Sequence, residues 1–339
     1  MKHRAMLASV LLAAAAPVAR AQLAPALSLD PFPQGQFFSS TDKFTLALKR
    51  PLTNAPDTQT SMFIWDSYGR IRLQRAPARE TLLDELAAPA IGYRVLDIEL
   101  NPTTDRLPSA LNDIALTGAI PAGPLGPGRL AFVAGAGYAG NSPFNDQQAT
   151  YGIGHALYAL PVGDHGTALL LSLDYNGHGS FLPDVPLPGI AFDTRRFDAA
   201  GNPNFWLHAG FPYTHLTWQP EVLDGRLSLD LRYTFPETAQ ARVELRVGGG
   251  ISLFAAYENF LEGFRLDSAS PGSTGRLFLQ LRRAEIGVRV IHGKLVDGDL
   301  GIGYAFNQNL STGYDARELT SQWLIPDKPF LTFALRGAF

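Results

Sequence analysis

Arg226-Leu227-Ser228-Leu229-Asp230-Leu231-Arg232-Tyr233-Thr234-Phe235 alternates without a break. Leu227, Leu229, Leu231, Tyr233 and Phe235 share one face of an extended strand, and Arg226, Ser228, Asp230, Arg232 and Thr234 share the other. The same pattern recurs over Lys43 to Lys49, where Phe44, Leu46 and Leu48 alternate with Lys43, Thr45, Ala47 and Lys49. It returns as Val243, Leu245 and Val247 against Arg242, Glu244 and Arg246. It appears again as Leu277, Leu279 and Leu281 against Arg276, Gln280 and Arg282, and as Leu300, Ile302, Tyr304 and Phe306 against Asp299, Gly301, Gly303 and Ala305.

Alternation fits a soluble sandwich as well as a membrane barrel, so the ends of the strands decide. Trp65, Tyr68, Tyr138, Tyr151, Tyr175, Trp206, Phe211, Trp218, Tyr233, Phe235, Tyr304 and Phe306 stand near strand ends, as the two aromatic girdles of a barrel require. Tight turns (121–128, 162–166, 220–225, 248–250, 293–298) alternate with longer polar connections (101–109, 176–186, 265–274, 307–328). Short periplasmic turns and long external loops are the outer-membrane pattern.

Composition agrees. Charged residues make up 17% of the chain, Gly (33), Tyr (11) and Phe (21) are plentiful, and there is no Cys, which excludes disulfides and thiolate chemistry. Basic Met1 to Arg4, an apolar run over 5–19 and Ala19-Arg20-Ala21 form a secretory signal peptide cleaved after Ala21. Cleavage removes Lys2, Arg4 and Arg20, leaving 28 − 3 = 25 bases against 31 acids. Nucleic acid, which needs a basic face, is thereby excluded as a partner.

The reading is all-β: a transmembrane antiparallel barrel of about 14 strands, with 12 to 16 allowed, spanning 43–339 after a periplasmic segment, 22–42. A raw count gives sixteen runs, of which three between 188 and 219 are shorter than the roughly 9 to 11 residues a spanning strand needs. Two irregularities stand out. In Arg276 to His292 the apolar phase changes parity between Leu281 and Ile286, which a β-bulge would explain. Thr81 to Ala88 is locally helical, lies on the expected periplasmic side and is read as a short cap or turn.

The last strand alternates Leu331, Phe333, Leu335, Gly337 and Phe339 with Thr332, Ala334, Arg336 and Ala338. It resembles the C-terminal signature recognised by the barrel-assembly machinery, which implicates Phe333, Leu335 and Phe339. The stretch Asn204 to Pro220 (NFWLHAGFPYTHLTWQP), with Leu227 to Pro236 and Gly301 to Phe306 (GIGYAF), resembles an uncharacterised family of bacterial outer-membrane β-barrels with a domain-of-unknown-function label. The resemblance runs from Leu96 to Phe339. It implies fold and location, in a Gram-negative outer membrane and against its lipid, and no established activity.

Chemistry is sparse. His208 and His215, seven apart across Pro212, could meet only by a chain reversal and lack a third metal ligand. Asp174, His178 and Ser180 are the only grouping that suggests a lipid-modifying enzyme, with Gly177 and Gly179 favouring a turning loop instead. Asp184 with Asp193, and Asp297 with Asp299, lack a calcium loop. No metal, cofactor or catalytic set is expected. The informative set is a charge stripe on the expected inner face: Arg226, Asp230, Arg232, Arg242, Glu244, Arg246, Arg276, Arg282, Glu285 and Arg289. Arginine facing lipid costs about 2 to 4 kcal/mol at mid-membrane, so such charges belong in the lumen. They either stiffen the barrel as salt bridges or attract anions into a pore. The expected function is a porin-like passive channel or transporter for small solutes; the alternatives are a lipid-modifying enzyme and a structural or surface-binding barrel.

Overall fold

A computed structural model describes residues 36–338 apart from 76, 78, 104–106, 143, 145, 164–165, 199–200, 202, 222, 236–237, 267–274 and 293–295, with the backbone alone at 321–322. The expected signal peptide, the segment 22–35 and Phe339 lie outside the described residues.

Seventeen strands form one antiparallel sheet that closes on itself: β1 (Phe38–Pro51) pairs with β2 (Gln59–Arg72) and with β17 (Lys328–Ala338). Strands β3 (Ala90–Glu99), β4 (Ala110–Leu125), β5 (Gly128–Gly140), β6 (Thr150–Pro161), β7 (Thr167–Asn176), β8 (Leu187–Phe197) and β9 (Pro203–Phe211) follow in chain order. Next come β10 (Tyr213–Trp218), β11 (Leu227–Thr234), β12 (Thr238–Gly248), β13 (Ile251–Arg265), β14 (Arg276–His292) and β15 (Val296–Gly313). The upper part of β15 pairs with β16 (Thr320–Ile325) and its lower part with β17, across Pro326 and Asp327. β16 and β17 therefore fill one place in the ring, and the barrel has 17 − 1 = 16 strands. That is the upper end of the expected range. The short runs between 188 and 219 are true strands, and β1 begins at Phe38, ahead of residue 43.

Closure removes every free sheet edge, as a lipid environment demands. The outward positions carry an apolar band: Leu46, Ile91, Leu116, Phe132, Leu171, Ile190, Leu253, Ile286, Leu300, Ile302, Leu331, Phe333 and Leu335 are all exposed. Phe211, Trp218, Tyr233, Phe235 and Tyr304 border it. A closed barrel with that exterior is a transmembrane β-barrel, and the chain belongs in the bacterial outer membrane. Tyr68, Tyr151 and Trp206 do not join the girdles. The ladder registers turn them into the lumen, where Trp206 is 1% exposed and Tyr151 donates to Asp113 at 2.6 Å.

Most of the short turns lie on the periplasmic rim, while on the external rim Pro212 alone joins β9 to β10. At the turn between β12 and β13, Gly248, Gly249 and Gly250 take φ values of 125°, 59° and 77°, open to glycine at little cost. The expected bulge in Arg276 to His292 is absent: β13 and β14 pair in unbroken register from Ile251↔Val290 to Arg265↔Arg276. The irregularity is in β15, where Asn307 (φ 48°) lies between the partners of Gln280 and Arg282. The parity change has another cause. Ile286, Val288 and Val290 face lipid, whereas Leu277, Leu279 and Leu281 face an apolar core inside the barrel.

That inner core fills the external half of the lumen. Ile64, Leu96, Ile98 and Leu111 from β2 to β4 pack against Phe260, Phe264, Leu277, Leu279 and Leu310 from β13 to β15. Residues 259–264 are buried on both faces, and Arg265 reaches Gly140 of β5 in a parallel contact across the ring. On the periplasmic side, the β2–β3 connection enters the lumen as α1 (Leu82–Glu85). Thr81 and Asp84 form its capping box, and Leu82 and Leu86 pack on Ala115, Val133, Leu157 and Leu170. The sequence marks this helix, but it is an inward plug rather than a rim cap.

Candidate functional site

Between the inner core and the periplasmic rim, on the side of β10 to β17, a cavity of about 300 Å³ remains. Two glycines let large rings lean along its wall. A Cβ on Gly287 would lie 2.5 Å from the Phe254 ring, and one on Gly303 would lie 2.3 Å from Phe330. Both positions put a ring against bare backbone.

The lining carries Lys43, Arg232, Arg242, Arg283, Arg289 and Arg336 against Asp230, Glu244, Glu258, Glu285 and Asp299. Opposite charges meet throughout. Arg232 donates to Asp230 at 2.9 Å; Arg242 reaches Glu244 at 3.1 Å and Asp299 at 2.7 Å; Arg289 reaches Glu244 at 3.1 Å. Arg336 spans Asp297 (3.2 Å) and Asp299 (2.6 Å), and Lys43 lies between Glu258 (3.4 Å) and Glu285 (3.5 Å). The Arg242 guanidinium also sits 3.9 Å from the Phe254 ring centre.

Of the expected stripe, Asp230, Arg232, Arg242, Glu244, Glu285 and Arg289 come together here. Arg226 and Arg246 are exposed at the periplasmic end, where the Arg246 amide donates to the Arg226 carbonyl. Arg276 and Arg282 have the opposite parity in β14 to Arg283, Glu285 and Arg289. Arg282 donates to Asn259 at 3.4 Å, and Arg276 donates to the carbonyls of His178 and Gly179 at 2.6 and 2.8 Å. Lys43, Glu258, Arg283, Asp299 and Arg336 stand outside the expected stripe. Their signal was the same alternation, read on β1, β13, β14, β15 and β17 as the residues opposite the lipid-facing set.

Two other polar clusters hold the plug and the core. At α1, Arg195 binds Glu85 (2.8 Å) and Asp193 (3.2 Å), Arg70 binds Glu85 (2.5 Å), and Arg72 pairs with Glu80. Under the external core, Arg94 joins Asp113 (2.9 Å) and Glu262 (3.1 Å). His208 and His215 face each other across β9 and β10, turned at Pro212, yet each takes its own carboxylate, Asp193 and Asp230, at 3.2 Å. Asp297 and Asp299 are occupied by arginines, and Asp193 by Arg195.

Asp174, His178 and Ser180 do not assemble. Asp174 holds His155 and Ser172, Ser180 donates to the Leu261 carbonyl at 3.4 Å, and His178 is buried against Tyr151 with ring centres 4.9 Å apart. Burial and the Arg276 charge hold the His178 imidazole well below its usual value, so it is neutral.

No family model and no curated protein matches the chain. Among solved structures, Omp33 of Acinetobacter baumannii is similar at 8% identity and a TM-score of 0.36, over 90% of this chain and 99% of that one. An outer-membrane channel from Pseudomonas putida F1 is similar at 10% identity and a TM-score of 0.36, over 92% and 98%. The translocator domain of the autotransporter NalP from Neisseria meningitidis follows at 13% and 0.30, over 92% and 91%. The assignment rests on the molecule itself: a ring of hydrogen-bonded strands, apolar outside and charged inside, makes this chain a bacterial outer-membrane β-barrel.

Proposed function

We propose that this barrel passes small polar solutes through the charged half of its lumen, with the inward ends of β13 and β14 as the closed external gate. One observation carries the reading. Side chains fill the lumen on the side of β3 to β9, yet a polar volume of about 300 Å³ stays open beside β10 to β17. A wall needing only stiffness gains nothing from such a volume. Bases and acids nearly balance along it, which favours neutral or zwitterionic solutes over an ion of one sign.

Liposome swelling with a small sugar tests this, using wild type and Leu277→Asp, which places a charge in the gate core. The variant should admit sugar faster than wild type. Swelling no faster than empty vesicles for both proteins, each verified as folded by heat-modifiability, would overturn the reading.

A further inference from the structure

A second cavity, of about 100 Å³, lies at the external end beside β6 to β12. Its wall includes a histidine on a fixed mount. His155 Nδ1 lies 2.6 Å from Asp174 Oδ1, and Ser172 donates to Asp174 Oδ2 at 2.5 Å. A carboxylate only accepts, so Nδ1 carries the proton and Nε2 is the ring atom left for another group. His155 is 5% exposed, and its Nε2 has no hydrogen-bond partner among the described residues.

The rest of the lining joins an apolar side, Phe181, Leu182, Leu187, Pro212, Phe235 and Leu261, to the polar side chains of Asn176, Ser180, Thr234, Thr238 and Glu262. The wall is lowest here. β10 spans only 6 residues, and Pro212 and Phe235 sit in the external turns that end β9 and β11. Phe181, Phe235 and Phe211 form a ladder with ring centres 5.0 and 5.4 Å apart, and the outer two are 40% and 39% exposed on the lipid-facing side. An apolar path therefore runs from the membrane surface over the rim to a buried nitrogen.

The geometry points to a lateral binding site for a small hydroxyl-bearing amphiphile, its aliphatic part on the phenylalanine ladder and its hydroxyl on His155 Nε2. A hydroxyl can donate to the neutral ring or accept from the charged one, so it suits either state. A cavity of about this size holds a few carbons, as engineered apolar cavities of about 150 Å³ hold benzene. This site is separate from the charged lumen and stands without the transport reading.

The test is photolabelling of the full barrel in lipid nanodiscs with a diazirine analogue of 1-hexanol, mapped by mass spectrometry. Label should concentrate on peptides holding Phe181, Leu187 and Phe235, and excess 1-hexanol should compete it away. His155→Phe keeps a ring but removes the nitrogen, and should cut labelling at least about fivefold, the order expected for one lost hydrogen bond. Leu187→Trp fills the pocket from the position opposite Asp174 on β8, keeps both residues of the His155–Asp174 pair and should abolish labelling, which keeps the test decisive if His155→Phe fails to fold. Label spread over the whole lipid-facing belt, or unchanged in folded Leu187→Trp, would overturn the site. Labelling that is lost in Leu187→Trp but persists in folded His155→Phe would overturn the assigned role of the histidine.

Discussion

Arg195 Nη2 lies 2.8 Å from Glu85 Oε2, so the inner wall of β8 holds the helix that plugs the lumen. The same guanidinium donates from Nε to Asp193 at 3.2 Å, and Asp193 also accepts from Trp206 at 2.8 Å. All these groups are buried, and removing one charge strands the others. Arg195→Leu should therefore cost about 3 to 5 kcal/mol. The unfolding temperature read by heat-modifiability should fall, and protease added on the periplasmic side should cut near α1. Wild-type resistance in both assays would show that Leu82 and Leu86 seat the helix by packing alone.

The lumen network predicts a contrast between arginines on one face. Arg242 joins Glu244 and Asp299 deep in the cavity, whereas Arg226 and Arg246 are exposed at the rim. Arg242→Gln should lower stability by about 1 to 3 kcal/mol, because two carboxylates lose a charged donor. Arg226→Gln with Arg246→Gln should change stability by less than about 0.5 kcal/mol, as solvated surface substitutions do. Chemical denaturation in detergent measures both. Equal losses would mean that the rim arginines are as firmly engaged as the inner one.

The fold was legible because lipid forces one rule on every strand. Leu227, Leu229, Leu231 and Tyr233 all face outward as their alternation requires, and a one-residue slip would invert the set. The interior was not legible. Leu277, Leu279 and Leu281 alternate just as cleanly but face inward, because the external part of the lumen is a packed core and apolar residues serve either environment. Periodicity reports that two faces differ, and only the closed ring tells which is inside. Trp206 and Tyr151 misled for a related reason: an aromatic near a strand end suits a membrane interface or a lumen wall. The side pocket was invisible, since His155, Ser172 and Pro212 meet only through the ladders of β6 to β10.

Lys328 predicts a gain of stability. It is fully buried on the inner face, its Nζ has no hydrogen-bond partner among the described residues, and Arg50, of like charge, acts on it. Lys328→Met keeps the chain length and removes a polar group buried without compensation, so stability should rise by about 1 kcal/mol or more. If the inner core is a gate, sugar uptake should fall as the closed state gains. A destabilised variant would reveal an ion pair that forms in the membrane.

His178 makes the external end sensitive to acid. Arg276 Nη2 donates to the His178 carbonyl at 2.6 Å and lies 3.3 Å from Nδ1, which must therefore accept. The ring stacks on Tyr151 and packs near Phe264, while Arg94 and Arg265 add further positive charge. The folded protein thus holds the imidazole neutral, with its pKa well below the ordinary 6.5. The unfolded or unlatched loop binds a proton more readily, so the stability of the seated 177–186 loop is full above about pH 6.5 and declines as pH falls below it. Hydrogen exchange of this loop should be slow at neutral pH and faster near about pH 5, beyond the change in the intrinsic chemical rate. His178→Phe keeps the stacking and removes the titrating group, so its protection should not depend on pH in that window. If wild type and His178→Phe lose protection equally on acidification, another group controls the latch.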